Sequence, residues 1–402
     1  MLKKASEEQQ RRALRRATEE RDAVRKECES LYEFVQQAWP ILEPVAEFKG
    51  GWALKAMCML LELVTAGRIQ FLLINIPPGC MKSLLVSVFW PAWEWGPMGK
   101  ASMRYLTSSF AEPNVLRDNT KMRRLVDSEW YQRLWPEIKF AKDQNAKSKF
   151  ENTKTGGREG RAFVSMTGGR GDRVIIDDPH SVDGGESDTQ RNAAVQTFRE
   201  AITDRVNNEL SSMIIIMQRI HQNDVSGCVL SLDLGFVHLN LPMEYEKSQH
   251  CEIVLDGEVI FSDPRTVEGE LLFEERFGRK YVERQKIAKG DYAYAGQYQQ
   301  RPAPREGGMF KVDKIVIVDS VPIANQRCRG WDIAGSTRKT SPYTVGGLLA
   351  EADGYIYIED VKRERAEIDQ AEKLIVDTAK DDGLTIQQSI PQDPGSAGKS
   401  QR

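Results

Sequence analysis

Gln70-Phe71-Leu72-Leu73-Ile74-Asn75-Ile76, then Pro77-Pro78-Gly79-Cys80-Met81-Lys82-Ser83, then Leu84-Leu85-Val86-Ser87-Val88-Phe89 is the stretch whose reading decides the fold. An apolar run of strand length meets a Pro/Gly turn, then Lys-Ser, then apolar residues with no breaker before Pro91. The pattern predicts strand, loop and helix, with an ammonium and a hydroxyl at the helix start. Loop N–H groups and a helix N-terminus suit an anion, the lysine adds a compact charge, and the hydroxyl can ligate Mg²⁺. The standard spelling has glycine where Ile76 and Met81 stand, and Gly79 lies inside the loop instead. Alone, the stretch reads equally as a buried strand–turn–helix, so the rest of the chain has to decide.

The 402 residues suffice for two or three cores, and 40% hydrophobic with 29% charged residues is globular composition. No apolar run approaches the ~20 residues of a membrane-spanning helix. Met1-Leu2-Lys3-Lys4-Ala5-Ser6-Glu7-Glu8 lacks the apolar core of a signal peptide, so an intracellular protein is expected. Six scattered cysteines read as reduced thiols, and four histidines are too few for a histidine-rich metal cluster. A net charge of −3 leaves any nucleic-acid surface to be local.

Residues 1–38 read as one helical arm, with Leu14, Ala17, Val24, Cys28, Leu31, Val35 and Ala38 on one face. Glu8–Arg12 and Arg16–Glu20 pair on the other, and Trp39-Pro40 is expected to end it. The arm is either a solvated helix leaning on the next domain or a dock for a partner subunit. A second helix spans Trp52 to Thr65 before Gly67. Ala101–Ser108 reads as a strand and Asn114–Leu125 as a helix, while Trp130, Tyr131, Leu134 and Trp135 read as packing. A basic, glycine-rich tract (Gly156 to Gly171) leads into Arg173-Val174-Ile175-Ile176-Asp177-Asp178-Pro179-His180. Two carboxylates at a strand's carboxyl end suit a magnesium-dependent nucleotide hydrolase, one in the Mg²⁺ shell and one for the attacking water. The strand Ser212–Met217 ends in Gln218-Arg219, where a γ-phosphate sensor would sit, because open α/β sheets bind ligands at strand carboxyl ends.

With these residues in order, the chain resembles the large subunit of a tailed-phage terminase, the motor that packages DNA. The likeness rests on Asn75 to Ser83, Phe89-Trp90-Pro91-Ala92-Trp93, Asp177-Asp178-Pro179, Met217 to His221, and Gln297-Tyr298-Gln299-Gln300-Arg301-Pro302. It runs from about Trp39 to the end. The last motif sets it apart from general helicases. The resemblance implies an α/β fold: a P-loop (RecA/ASCE-like) ATPase domain over 39–300, a linker over 301–325, and an RNase H-like nuclease over 326–402 that looks incomplete. It implies that Pro78, Gly79, Cys80, Met81, Lys82 and Ser83 bind ATP phosphates, with Ser83 and Asp177 holding Mg²⁺ and Asp178 as general base. Gln218 and Arg219 resemble the motif coupling hydrolysis to DNA movement. The family places an arginine finger between the two nucleotide motifs, and Arg161, then Arg158, fit that position. The implied partners are double-stranded DNA, a portal protein, a small terminase subunit and further copies in a ring on the procapsid. The implied location is the host bacterial cytoplasm, with no membrane.

Beyond Gly308 the reading turns to strands at Arg329–Ile333, Thr344–Ala350 and Tyr355–Val361, the last two joined by Asp353-Gly354. A helix over Ala366–Lys380 and a strand over Leu384–Ile390 complete the opening of an RNase H-like domain. Asp332 and Asp393 fit two of its metal carboxylates, for Mg²⁺ or Mn²⁺, and Asp360 reads as a surface residue of its strand or a possible extra metal carboxylate. Asp393-Pro394-Gly395-Ser396-Ala397-Gly398-Lys399-Ser400 imitates a phosphate loop more closely than residues 76–83 do. It reads as the turn after the second carboxylate, since no helix is read after it. Two rival readings are a helicase-like ATPase without nuclease and a non-catalytic prophage remnant.

Overall fold

The computed structural model describes residues 2–166, 168–303, 315–324, 326–334 and 343–391. The chain divides into two compact units, Met1–Gly308 and Met309–Arg402.

The first unit is mixed α/β. Its strands are β1 (Phe71–Asn75), β2 (Arg104–Ser109), β3 (Phe140–Asn145), β4 (Lys149–Asn152), β5 (Gly157–Ala162), β6 (Arg173–Asp177), β7 (Ser212–Met217) and β8 (Val237–Asn240). They form one sheet in the order β3-β4-β5-β2-β6-β7-β1-β8. The pairings from β5 to β8 are parallel, and β3–β4 and β4–β5 are antiparallel. Parallel strands are covered on both faces, which is why Leu72-Leu73-Ile74 and Ile214-Ile215-Ile216 are apolar without alternation. Leu72, Ile74, Ile175, Ile214 and Ile216 join one core, with Leu54, Leu61, Val86 and Phe89. Leu73, Val174, Ile176, Met213 and Ile215 join the other, with Ala194, Phe198 and Val229. A hairpin, β9 (Glu252–Leu255) and β10 (Glu258–Ser262), lies outside this sheet.

The arm expected over 1–38 is two helices, Leu2–Glu27 and Leu31–Leu42. The break comes at residues 28–30 because Leu31 N–H is taken by the Glu62 carboxylate at 2.6 Å, a tertiary bond invisible to periodicity. The second helix runs through Pro40 to Leu42 and buries Leu31, Phe34, Val35, Ala38, Trp39 and Leu42, so it belongs to the core. The glycine-rich tract holds strand β5, which the sequence reading did not contain. A Cβ on Gly160 would stand 2.2 Å from Val115 Cγ1, so glycine lets helix Glu112–Val126 lie against the strand.

The second unit has β11 (Gln326–Asp332), β12 (Thr344–Ala352), β13 (Tyr355–Glu364) and β14 (Gln387–Ser389), in the order β13-β12-β11-β14. β11–β12 and β12–β13 are antiparallel, and β14 returns parallel to β11 after helix Ile368–Asp382. Asp353 and Gly354 have φ of +51° and +78°, the left-handed pair a tight hairpin turn needs. The last strand is shorter than the expected Leu384–Ile390, pairing only through Gln387–Ser389.

Candidate nucleotide-binding site

The strand order sets β7 between β1 and β6, so three carboxyl ends lie side by side. From β1 the chain turns through Pro77–Met81 into helical residues Lys82–Leu84, Leu85–Phe89 (π-helical) and Trp90–Trp95. Pro91 does not break this run. Its missing N–H leaves the Ser87 carbonyl without its usual partner, and the buried Arg158 guanidinium donates to that oxygen. Met81 takes the left-handed conformation (φ +63°) at the position glycine usually fills. Gly79 (φ +82°) lies under the Phe277 ring, with a Cβ there 2.8 Å from Phe277 Cζ. Pro78 is half-buried, Gly79 exposed, and Cys80 buried, with burial pushing its thiol up to about 12.

Lys82 is 6% exposed, and its Nζ meets Asp178 Oδ2 at 2.8 Å. Burial opposes its charge, but Asp178 and Asp177 outweigh that and hold the ammonium above its ordinary value. Ser83 Oγ donates to Asp177 Oδ1 at 2.9 Å, and Ser87 Oγ lies 3.5 Å from Asp177 Oδ2. Burial and the neighbouring Asp178 charge push Asp177 well up. Two carboxylates thus share one ammonium in a buried site, which leaves it short of positive charge. A hydroxyl and a carboxylate, both hard oxygen donors, fit Mg²⁺, which takes one or two protein oxygens and otherwise phosphate and water. No group of three or more His, Cys, Asp or Glu is gathered for a metal ion among the described residues. What fits here is therefore an ion shared with phosphate.

Gln218 enters from β7. Its N–H donates to Asp178 Oδ1 at 3.3 Å, and its side-chain Oε1 is buried without a partner. Arg219 turns away: its guanidinium meets Asp224 at 3.1 Å and donates to the His221 and Gln222 carbonyls, bracing the turn into helix Val225–Leu232. Arg219, read with Gln218 as one polar strand tip, is therefore bonded within its own turn. Arg158, the second choice for a finger, is 2% exposed and bonded to Asn119 Oδ1 and the Ser87 carbonyl, where it braces the sheet. Arg161 is half-buried, pairs with Glu159, and lines a cavity of about 410 Å³ with Lys149, Ser148 and Glu112. It is in register with Ile176, whose side chain belongs to the core opposite the phosphate-loop helix, so the structure does not bring it to Lys82. Sequence reasoning passed over Ser87, although its four-residue spacing from Ser83 places it one helical turn on. It also passed over Arg117, an exposed arginine paired with Asp118 and within the field of Asp177 and Asp178.

In the second unit Asp332 is exposed at the end of β11. Asp360 pairs with Arg329 at 2.9 Å. Asp393 lies outside the described residues.

No family model matches the chain, and no curated protein matches it. Among solved structures, a large terminase from a thermophilic bacteriophage aligns over 85% of this chain and 78% of its own, with 10% identity and TM-score 0.35. The same terminase in complex with ATP-γ-S aligns over 91% and 79%, with 12% identity and TM-score 0.34. An arginine-to-alanine mutant of the Thermus phage P74-26 large terminase ATPase domain aligns over 57% and 88%, with 11% identity and TM-score 0.38. At these scores the fold and the site rest on this chain's own strand order and contacts.

Proposed function

We propose that the first unit is a magnesium-dependent ATPase of the terminase large-subunit type, driving double-stranded DNA into a procapsid. The observation that carries the ATPase reading is the convergence of Lys82, Ser83, Asp177, Asp178 and Gln218 at three adjacent strand ends. Lys82 exchanges Asp178 for the β- and γ-phosphates when ATP binds, which frees the Asp178 carboxylate to orient and deprotonate the attacking water. Gln218, with an unfilled side-chain acceptor, accepts a hydrogen bond from that water and orients it. Ser83 and Asp177 would hold Mg²⁺, which when bound neutralises charge on the phosphate oxygens.

The packaging role rests on the ordered motifs from Asn75 to Pro302. With it go a ring of copies on a portal, a small terminase subunit and the host cytoplasm, and DNA contacts made mainly to phosphates. Asp332 would serve a metal-dependent nuclease of the second unit. A nuclease-free ATPase is the alternative, favoured by Arg329, which pairs with Asp360, the possible extra metal carboxylate of this unit. Metal-dependent cleavage of duplex DNA separates the two.

The decisive measurement is ATP turnover with and without duplex DNA. Lys82→Ala is expected to lower it by about 10²–10³, the scale for removing one preorganised charge at a transition state. A wild-type chain without turnover would leave the non-catalytic reading standing.

A further inference from the structure

The run Gln297 to Pro302 helped to identify the motif order, but no role attaches to its glutamines. Gln300 is 3% exposed and sits at φ +52°, a left-handed conformation that costs a non-glycine residue about 1–3 kcal/mol. Such a residue persists only where its surroundings fix it. Both ends of its carboxamide are used: Nε2 donates to the Gln297 carbonyl at 2.7 Å, and Oε1 accepts Arg219 N–H at 3.0 Å.

We infer that Gln300 is a positioning residue for hydrolysis, holding the tip of β7 so that Gln218 meets Asp178. This rests on the ATPase reading of the site. The Gln218–Arg219 peptide is planar, so fixing Arg219 N–H fixes the plane that begins at the Gln218 Cα. One residue back, Gln218 N–H reaches Asp178 Oδ1 at 3.3 Å, and its buried Oε1 is unpartnered. The Arg219 guanidinium cannot set this geometry alone, because it is committed to Asp224 on the far side of the turn. Gly296 closes the contact: a Cβ there would lie 3.3 Å from the Arg219 carbonyl, so the end of helix Arg279–Gln297 lies directly on β7's extension.

The neighbouring Gln299 provides the internal control. Its carboxamide accepts Glu244 N–H at 2.9 Å and donates to the Glu244 carbonyl at 3.0 Å, bonds that anchor the same turn without touching β7. Losing the Gln300 amide therefore leaves the turn tied down while releasing the β7 tip.

The test is steady-state ATP turnover, with nucleotide affinity and melting temperature measured on the same full-length variants. Gln300→Met, which keeps the volume but removes the acceptor, is expected to lower kcat about tenfold, the scale of one hydrogen bond, with nucleotide affinity within twofold. Gln300→Glu, which retains an acceptor for Arg219 N–H, is expected to recover part of that loss. Gln299→Ala is expected to lower the melting temperature while kcat stays within twofold. The inference is overturned if Gln300→Met turns over at the wild-type rate, if its kcat and nucleotide affinity fall together, or if Gln299→Ala slows kcat equally. A wild-type chain that binds but never hydrolyses ATP sinks the ATPase reading, and this inference with it.

Discussion

Asp177 and Asp332 each end a strand, and a reader of sequence would give each the same metal-binding role. Their surroundings differ. Asp177 is 5% exposed, bonded to Ser83 and Ser87 from the neighbouring helix, and next to an Asp178 already matched to Lys82. Asp332 is exposed, and two aspartates near its strand, Asp360 on β13 and Asp382 at the end of the helix, are held by Arg329. In the first unit, charge is gathered at the strand ends and left short of a cation. In the second, the buried cation is spent on the scaffold. A carboxylate at a strand end is a site only when its neighbours leave it something to bind.

Within the first unit, the two arginines favoured by position should fail in opposite ways. Arg158→Ala strands the Ser87 carbonyl and Asn119 Oδ1 inside the protein, a loss of about 3–5 kcal/mol that thermal unfolding would register. Arg161→Ala, a half-buried residue paired with Glu159, is expected to keep the melting temperature. If Arg161 is the finger, its loss lowers turnover by ~10³ or more with nucleotide binding spared. Since it does not face its own Lys82, that loss should appear only when copies assemble. Normal turnover in assembled Arg161→Ala would move attention to Arg117.

The same contrast can be pressed in the second unit. Arg329→Ala leaves Asp382 and Asp360 without their cation, and the side chains of Arg329 and Asp382 are 2% and 7% exposed. The expected loss is about 3 kcal/mol, read as early unfolding of the second unit alone. Arg329 also holds Asp382 below the usual carboxylate range. That stabilisation is present above the unfolded carboxylate value, about 4, and disappears as pH falls through the folded one, so wild type and Arg329→Ala should converge in acid. An unchanged unfolding curve would show that this unit's scaffold does not depend on the buried pair.

Much of this is legible in the residues. The apolar runs of β1, β6 and β7, and the Asp-Gly turn of the second unit, follow from period and turn chemistry. So do the acids at β6 and the lysine and serine at the loop. Less legible is anything decided by a distant partner. Glu62 ends the first helix early, Arg158 lets Pro91 remain in a helix, and Asp224 turns Arg219 away. Strand β5 is hidden because its Gly160 answers to the Val115 side chain across the layer, and glycine composition alone reads as loop.

The smallest effect lies in the loop itself, at the residue whose spelling argued most against a phosphate site. Met81 adopts φ +63° with its side chain 8% exposed. Two costs compete there. Truncating the side chain loses roughly 2 kcal/mol of burial, whereas removing its Cβ relieves about 1 kcal/mol of left-handed strain. Met81→Ala loses the burial and keeps the strain; Met81→Gly loses the burial but escapes it. Glycine should therefore be the milder substitution by about 1 kcal/mol, the reverse of its order against alanine in a helix interior. Denaturant titration of the two variants reads this directly. Alanine proving milder would mean that the loop does not hold Met81 left-handed, and that Lys82 is not presented to phosphate by the backbone turn described here.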